Sequence, residues 1–318
     1  MYRGFMPWRP VAPLAPPPSS PSHDALTQAE GYEFTVISDT GATATVYLAQ
    51  PRDRPGAKCY VVKRVDKPLR FKAGMDYFVN ERIALERLLG LPGICQLAEH
   101  NPITRELWFE LGPAHKTLLH VVANKGPVEK PVLMRALVAH LLAALASCHA
   151  AGMDSTPPGL CHNPLTSVTG IAHCDVKPDN ILYQRRTGEI LLIDFGFARA
   201  ATIVRGDSKK EGSPIYVPLE AHIESPEPRD IRLQDSFGLA CVLSYAFTGS
   251  FPGDSVKTLD QLVALRQKDN GSAWFPDCSL QLSAFSDGQR ALMRSLAARD
   301  PAQRTQIAVA HSAWPLTF

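Results

Sequence analysis

One histidine, two aspartates, a lysine and an asparagine stand within eight residues at His173-Cys174-Asp175-Val176-Lys177-Pro178-Asp179-Asn180, and Asp194-Phe195-Gly196 begins fourteen residues after Asn180. Both runs come straight after apolar segments. Asp175 can orient and deprotonate a hydroxyl, Lys177 can steady a moving phosphate, and Asn180 and Asp194 can hold Mg²⁺. Together they are what phosphoryl transfer needs from a protein. Upstream, strand alternation in Lys58–Val65 puts Cys59, Val61 and Lys63 on one face, so Lys63 can reach phosphates over an apolar floor. A buried lysine keeps its charge only with a partner. Glu81 and Glu86 are the candidates, and either could instead lie on a solvated helix face.

These residues need rigid elements to carry them. Tyr32–Ser38, Thr45–Ala49 and Lys58–Val65 read as strands, with a loop containing Gly41 between the first two and a turn at Pro51–Gly56. From Tyr77 to Leu89 apolar residues recur at helical spacing, and Gly90 stops the helix. Leu107–Leu111 reads as a further strand. After Gly112-Pro113 the pattern turns mostly helical. Strands followed by helices predict an α+β chain, a small β-rich lobe joined to a larger helical one near Glu110–Gly112.

Composition narrows the classes. The chain has 318 residues, is 45% hydrophobic and carries a net charge of +2. That size supports one bilobal domain or two small ones, and that charge argues for neither nucleic acid nor membrane binding. Seven cysteines without framework spacing fit a reducing compartment, hence a location inside a cell. No secretory signal is evident at the start. The apolar stretches near Ala136–Ala151 and Phe237–Phe251 read as buried core helices rather than membrane spans. Pro7, Pro10, Pro13 and Pro16 recur every third residue, the period of a polyproline II turn. Residues 1–30 therefore read as an unstructured leader, or as a ligand for an SH3- or WW-type partner.

An H-x-D-x-x-x-x-N run with D-F-G behind it resembles the catalytic and metal-binding loops of eukaryotic-type protein kinases. The resemblance spans roughly 31–314. It implies a bilobal protein-kinase fold over 31–315, with a β-rich N-lobe (31–111) that includes helix αC and a helical C-lobe (112–315). It also implies ATP and Mg²⁺ as cofactors. Lys63 would pair with Glu81 in preference to Glu86. Gly41, Val46, Val61, Lys63, Glu110, Leu111, Leu182, Asn180 and Asp194 would line the nucleotide site, with Phe109 as its gatekeeper. Asn180 and Asp194 would hold the metal, and Asp175 and Lys177 would act on the acceptor hydroxyl. Val61, in place of the usual alanine, would tighten the roof over the base.

The family's later motifs also have counterparts. Gly212-Ser213-Pro214-Ile215-Tyr216-Val217-Pro218-Leu219-Glu220 resembles the end of an activation segment. Ser213 would bridge Asp175 and Lys177, Glu220 would pair with Arg304, and Asp235 would hold the catalytic loop. Lys177 and Ser213 are serine/threonine-kinase choices, implying protein substrates with such acceptors.

Three departures matter. Register from Val46 puts Asp39, Gly41 and Ala44 where the phosphate-covering loop has three glycines, which predicts weaker ATP binding. Cys174 replaces the arginine of H-R-D that normally meets an activation-segment phosphate, which predicts activity without that phosphate. Residues 153–170 form an insert holding Cys161 and His162, read as a surface loop in preference to a zinc site. Asp179 could meet a basic substrate residue or simply be exposed. The worn loop and missing arginine support an alternative, a pseudokinase or scaffold. In style the chain also resembles kinases that pathogenic bacteria inject into host cells.

Overall fold

The computed structural model describes residues 31–39, 41, 43–52, 57–67, 77–111, 115–128, 130–151, 170–201, 203–204, 212–222, 229–250, 258–268 and 286–314. The leader, the Cys161-His162 part of the insert and the hinge glycine Gly112 lie outside these residues.

The first half forms one antiparallel sheet of five strands: β1 (Tyr32–Ser38), β2 (Thr45–Pro51), β3 (Tyr60–Arg64), β4 (Leu97–Asn101) and β5 (Glu106–Phe109), in the order β1-β2-β3-β5-β4. Register sorts its faces. Thr35, Leu48, Val61, Phe109 and Leu97 stand in one row, and Val46, Lys63 and Leu107 in the next. Directly opposed residues share a face, so Lys63 shares the inner face with Val61, Leu107 and Phe109. The other face carries Ala49, Val62 and Trp108, ringed by Tyr32, Phe34, Tyr47 and Tyr60.

Helix α1 (Tyr77–Arg87) packs against the inner face and buries Phe78, Glu81, Ala84 and Leu85. It ends earlier than apolar spacing predicts. Leu88 N–H is shared between the Ala84 and Leu85 carbonyls, and Gly90 turns left-handed at φ 79°, so 88–90 form a tight turn.

The second half is built on helices. These are α2 (Leu118–Lys125), α3 (Pro131–Ala150), α4 (Arg232–Thr248), α5 (Leu259–Lys268), α6 (Asp287–Leu296) and α7 (Ile307–Ala313). Thr117 caps α2 by accepting from His120 N–H, and Ser286 with Gln289 forms a capping box on α6. In α4 every residue from Gln234 to Phe247 is buried, so this helix is the axis of the lobe. Among the described residues one helical stretch, Val132–Ala150, is long and apolar enough to cross a membrane, and half of it is buried inside the protein.

A purely helical reading of this half misses its short strands. Lys116–Thr117 (β6), Ile181–Gln184 (β8) and Glu189–Leu192 (β9) form a three-stranded sheet, and Ile171–Ala172 (β7) pairs with Arg199–Ala200 (β10). The β8–β9 hairpin turns at Gly188, φ 76°. Strands this brief leave almost no periodicity in the sequence. They nonetheless position both motif runs: His173–Asn180 leads into β8, and β9 runs out into Asp194.

Candidate active site

Two runs of chemistry meet because β8 and β9 are neighbours. Ile181 lies opposite Leu192, and Ile193 N–H donates to the Asn180 carbonyl at 3.0 Å. Pro178–Asn180 is a single 3₁₀ turn that buries Asn180. Asp194 sits in the left-handed region at φ 64°, with its carboxylate accepting from Gly196 N–H at 3.4 Å.

The catalytic loop hangs from helix α4. Asp235, essentially fully buried, accepts from His173 N–H and Cys174 N–H at 2.8 Å each, one per carboxylate oxygen. His149 Nε2 lies 2.8 Å from Asp235 Oδ2. Cys174 pays for the bend with a left-handed φ of 64°. Three residues after Asp235, Gly238 lets the loop press on the helix: a Cβ there would lie 2.8 Å from the Val176 carbonyl oxygen. The His173 ring fixes the loop's other side. Asp175 N–H donates to Nδ1 at 3.2 Å, so the proton is on Nε2, which donates to the Ile193 carbonyl at 2.9 Å.

Asp175, Lys177, Asn180 and Ser213 converge. Lys177 Nζ donates to Asp175 Oδ2 at 2.7 Å and to Ser213 Oγ at 2.9 Å, and Ser213 N–H donates to Asp175 Oδ1 at 2.8 Å. Asn180 Nδ2 donates to the Asp175 carbonyl at 2.8 Å and to its carboxylate at 3.0 Å. Burial works against the Lys177 charge, but Asp175 outweighs it and holds its pKa above the ordinary value. Asp179, expected to meet a basic substrate residue or simply to be exposed, is half-buried. Burial first, against the pull of Lys177, raises its carboxyl above the usual range.

Across the cleft, Lys63 Nζ donates to Glu81 Oε2 at 2.6 Å and to Asp194 Oδ1 at 2.7 Å. The partner is therefore Glu81. Glu86 pairs with Arg82 at 2.7 Å on the surface. One cation faces two carboxylates, and they split. For Asp194 burial opposes ionisation, yet the Lys63 charge and hydrogen bond win and bring it down to about 2. For Glu81 burial wins over Lys63, the negative charge of Asp194 adds to it, and the carboxyl is pushed up to about 7. Lys63 itself is raised, since Asp194 and Glu81 together outweigh its burial.

The residues expected to line a nucleotide site divide. Val61 packs against the apolar core, and Leu182 and Leu111 are each 8% exposed within it. Val46 sits opposite Lys63 but does not join that cluster. Glu110 is exposed and pairs with Lys58 at 2.6 Å, and Phe109, the expected gatekeeper, is buried. Gly41 is exposed, and its carbonyl accepts from Lys67 Nζ at 2.9 Å, as does the Asp39 carbonyl. Lys67 thus sets an ammonium beside the backbone of Asp39.

Sequence reasoning missed several residues that hold the site. Asn80 donates to the carbonyls of Gly196 and Ala198, 2.9 Å each, and so ties α1 to the turn after Asp194. Gln234 donates to the Cys174 carbonyl at 2.7 Å. Arg266 reaches the activation-segment backbone. A polar residue next to Glu81 or Asp235 was the only signal, and Arg266 had none. The pairing of Glu220 with Arg304 is present as expected.

The residues present fit Mg²⁺. Asn180 spends its amide nitrogen on Asp175, leaving the amide oxygen for a cation, and Asp194 keeps an ionised carboxylate that is 32% exposed. Two hard oxygen donors, completed by phosphates and water, suit this ion. Phe195 is fully buried and meets His173 edge-on at 4.7 Å, which keeps Asp194 turned toward Lys63.

The model of the protein kinase domain family matches residues 38–314 of this chain. Serine/threonine-protein kinase D2 of Rattus norvegicus is 23% identical over 256 residues, 74% of this chain and 27% of the relative. Serine/threonine-protein kinase PkaA of Streptomyces coelicolor is 27% identical over 241 residues, 70% of this chain and 40% of that relative. CBL-interacting protein kinase 4 of Oryza sativa subsp. japonica is 26% identical over 235 residues, 72% of this chain and 47% of that relative. The match thus spans less than half the length of each.

Proposed function

The chain belongs to the protein kinase domain family, and on that premise we propose that it transfers the γ-phosphate of ATP to serine or threonine hydroxyls of protein substrates, with no phosphate needed on its own activation segment. The observation that carries the reading is the bonded trio of Lys177, Asp175 and Ser213. Asp175 would accept the hydroxyl proton, and Lys177, already oriented by two partners, would face the phosphoryl group in flight. Lys63, steadied by Glu81, would hold the nucleotide phosphates. Bound at Asn180 and Asp194, Mg²⁺ would neutralise phosphate charge.

Phosphate independence rests on Cys174. It is buried where an arginine would need to reach solvent, and its carbonyl is held by Gln234. A location inside a cell fits the free thiols of Cys59, Cys95, Cys148, Cys174 and Cys241. An SH3- or WW-type partner for Pro7–Pro16 stays part of the proposal.

A second reading, a scaffold that binds partners without catalysis, draws on the loop where Asp39 and Ala44 stand in place of glycines. Labelled ATP, Mg²⁺ and a basic protein substrate separate the two, with Lys63→Ala and Asp194→Ala as controls. Label on serine or threonine that both variants abolish supports the kinase. Neither transfer nor nucleotide binding supports the scaffold.

A further inference from the structure

Helix α5 sends one charged side chain into the protein. Arg266 is 1% exposed and is among the largest fully buried side chains of the described residues. Its Nη1 donates to the Val217 carbonyl at 2.5 Å and its Nη2 to the Ile215 carbonyl at 2.6 Å. The guanidinium lies 5.1 Å from the Phe237 ring centroid, and that of Arg304 lies 5.3 Å from the same ring. The Ile215 carbonyl also faces the Cys241 thiol at 3.9 Å.

Burying a guanidinium is costly, and the cost shows. Desolvation brings Arg266 down to about 10 against the pull of Cys241 and Glu220, so it remains a cation at neutral pH. An apolar side chain would fill the space more cheaply. What it could not supply is a planar fork of donors for two carbonyls two residues apart.

Those carbonyls closely follow Ser213, which is bonded to Asp175, so on the kinase reading they flank the place of an acceptor hydroxyl. Upstream, Ser213 is bonded to Asp175 and Lys177; downstream, Glu220 is paired with Arg304. Between these anchors, Arg266 grips the backbone and His222 adds a 3.0 Å contact to the Pro214 carbonyl. With Cys174 in place of an arginine, the segment meets no guanidinium at that position of the catalytic loop. It has cations beneath it instead.

We propose that Arg266 is a positioning residue for the protein acceptor, its guanidinium fixing Ile215 and Val217 in the shape that receives a substrate chain and so replacing, from inside the protein, the hold that a phosphate–arginine pair would give. The inference rests on the kinase reading above. It predicts that acceptor use depends on Arg266 while nucleotide use does not.

The test compares full-length Arg266→Met and Arg266→Lys with wild type. It reads acceptor KM and kcat, ATP KM, and hydrogen exchange of amides 213–220. For Arg266→Met, acceptor kcat/KM falls about tenfold or more while ATP KM stays within about twofold, and exchange at 215–220 quickens. Arg266→Lys, which keeps the charge without the fork, falls between. Unchanged acceptor kinetics and exchange would overturn the proposal, as would equal losses toward ATP and acceptor. If Arg266→Met does not fold, Arg266→Lys decides by the same readouts. If wild type transfers no phosphate, the kinase reading fails, and exchange at 215–220 alone decides for or against the Arg266 hold.

Discussion

The two sides of the cleft are held by opposite means. Below it, side chains grip backbone: Asp235 holds His173 and Cys174, Gln234 holds the Cys174 carbonyl, and Arg266 holds Ile215 and Val217. Above it, Asp39 and Gly41 of the phosphate-covering loop are exposed, and the described contacts to them run largely through one lysine, Lys67. A buried network loses much when one member goes, because the remaining donors and acceptors stay buried and unpaired. An exposed contact can be exchanged for water. Substitutions should therefore cost far more below the cleft than above it.

The largest effect tests the lower side directly. Asp175→Asn keeps the side-chain shape and removes the proposed base, so kcat should fall about 10²–10⁴-fold with ATP KM little changed. Steady-state kinetics with a protein acceptor checks it. An unaltered kcat would move the chemistry away from Asp175.

Next comes a pair of glycines, one from each side. Gly212 sits at φ 93°, and a Cβ there would lie 2.5 Å from the Cys174 carbonyl oxygen. Gly41 has no left-handed φ, and its Cβ would meet the Ala44 carbonyl oxygen at 3.3 Å. Gly212→Ala should cost about 1–3 kcal/mol and lower both Tm and acceptor turnover, whereas Gly41→Ala should shift Tm little. Thermal melts of the two variants side by side would break the comparison if the costs came out equal.

The third prediction concerns the bridge between the sides. Glu81 titrates at about 7 in the fold against an ordinary 4.5. In that interval the folded protein keeps a proton that the unfolded chain releases. Its contribution to stability is thus fully present below 4.5 and is lost as pH rises through about 7. Activity runs the other way, because only ionised Glu81 pairs with Lys63. Activity, read as kcat/KM for ATP, should rise through pH 7. Glu81→Gln should flatten both profiles and lower the plateau about tenfold. A wild-type profile flat from pH 5 to 8 would show that Glu81 stays ionised.

Much of this was legible because the chemistry is written in short, dense runs. Lys63, Asp175, Lys177, Asn180 and Asp194 could be read from residue type and spacing, and Glu81 came from the family position. Strand alternation in Lys58–Val65 gave the correct face. What stayed hidden was tertiary. Arg266 lies in an ordinary-looking helix 49 residues from Val217, and no local pattern marks a charged side chain that points inward. Strands β7 and β10, two residues each, are made by pairing across the fold and not by propensity. Lys67 reads as surface charge until the loop folds over it.

The smallest expected effect tests the upper side where sequence and structure pull apart. Asp39, at the first glycine position, would place a negative charge near ATP phosphates, and Lys67 lies beside it with its ammonium on the carbonyls of Asp39 and Gly41. If that cation already offsets the carboxylate, little repulsion is left for Asp39→Gly to relieve, and ATP KM falls only about two- to fivefold with kcat unchanged. An exposed charge is already weakened by solvent and salt, so a larger gain would need close approach to the phosphates. ATP titrations at low and high ionic strength settle it. A difference between wild type and Asp39→Gly that shrinks with salt marks electrostatics at the loop. A difference that persists marks backbone freedom, and the worn loop would then limit ATP binding by its stiffness and not by its charge.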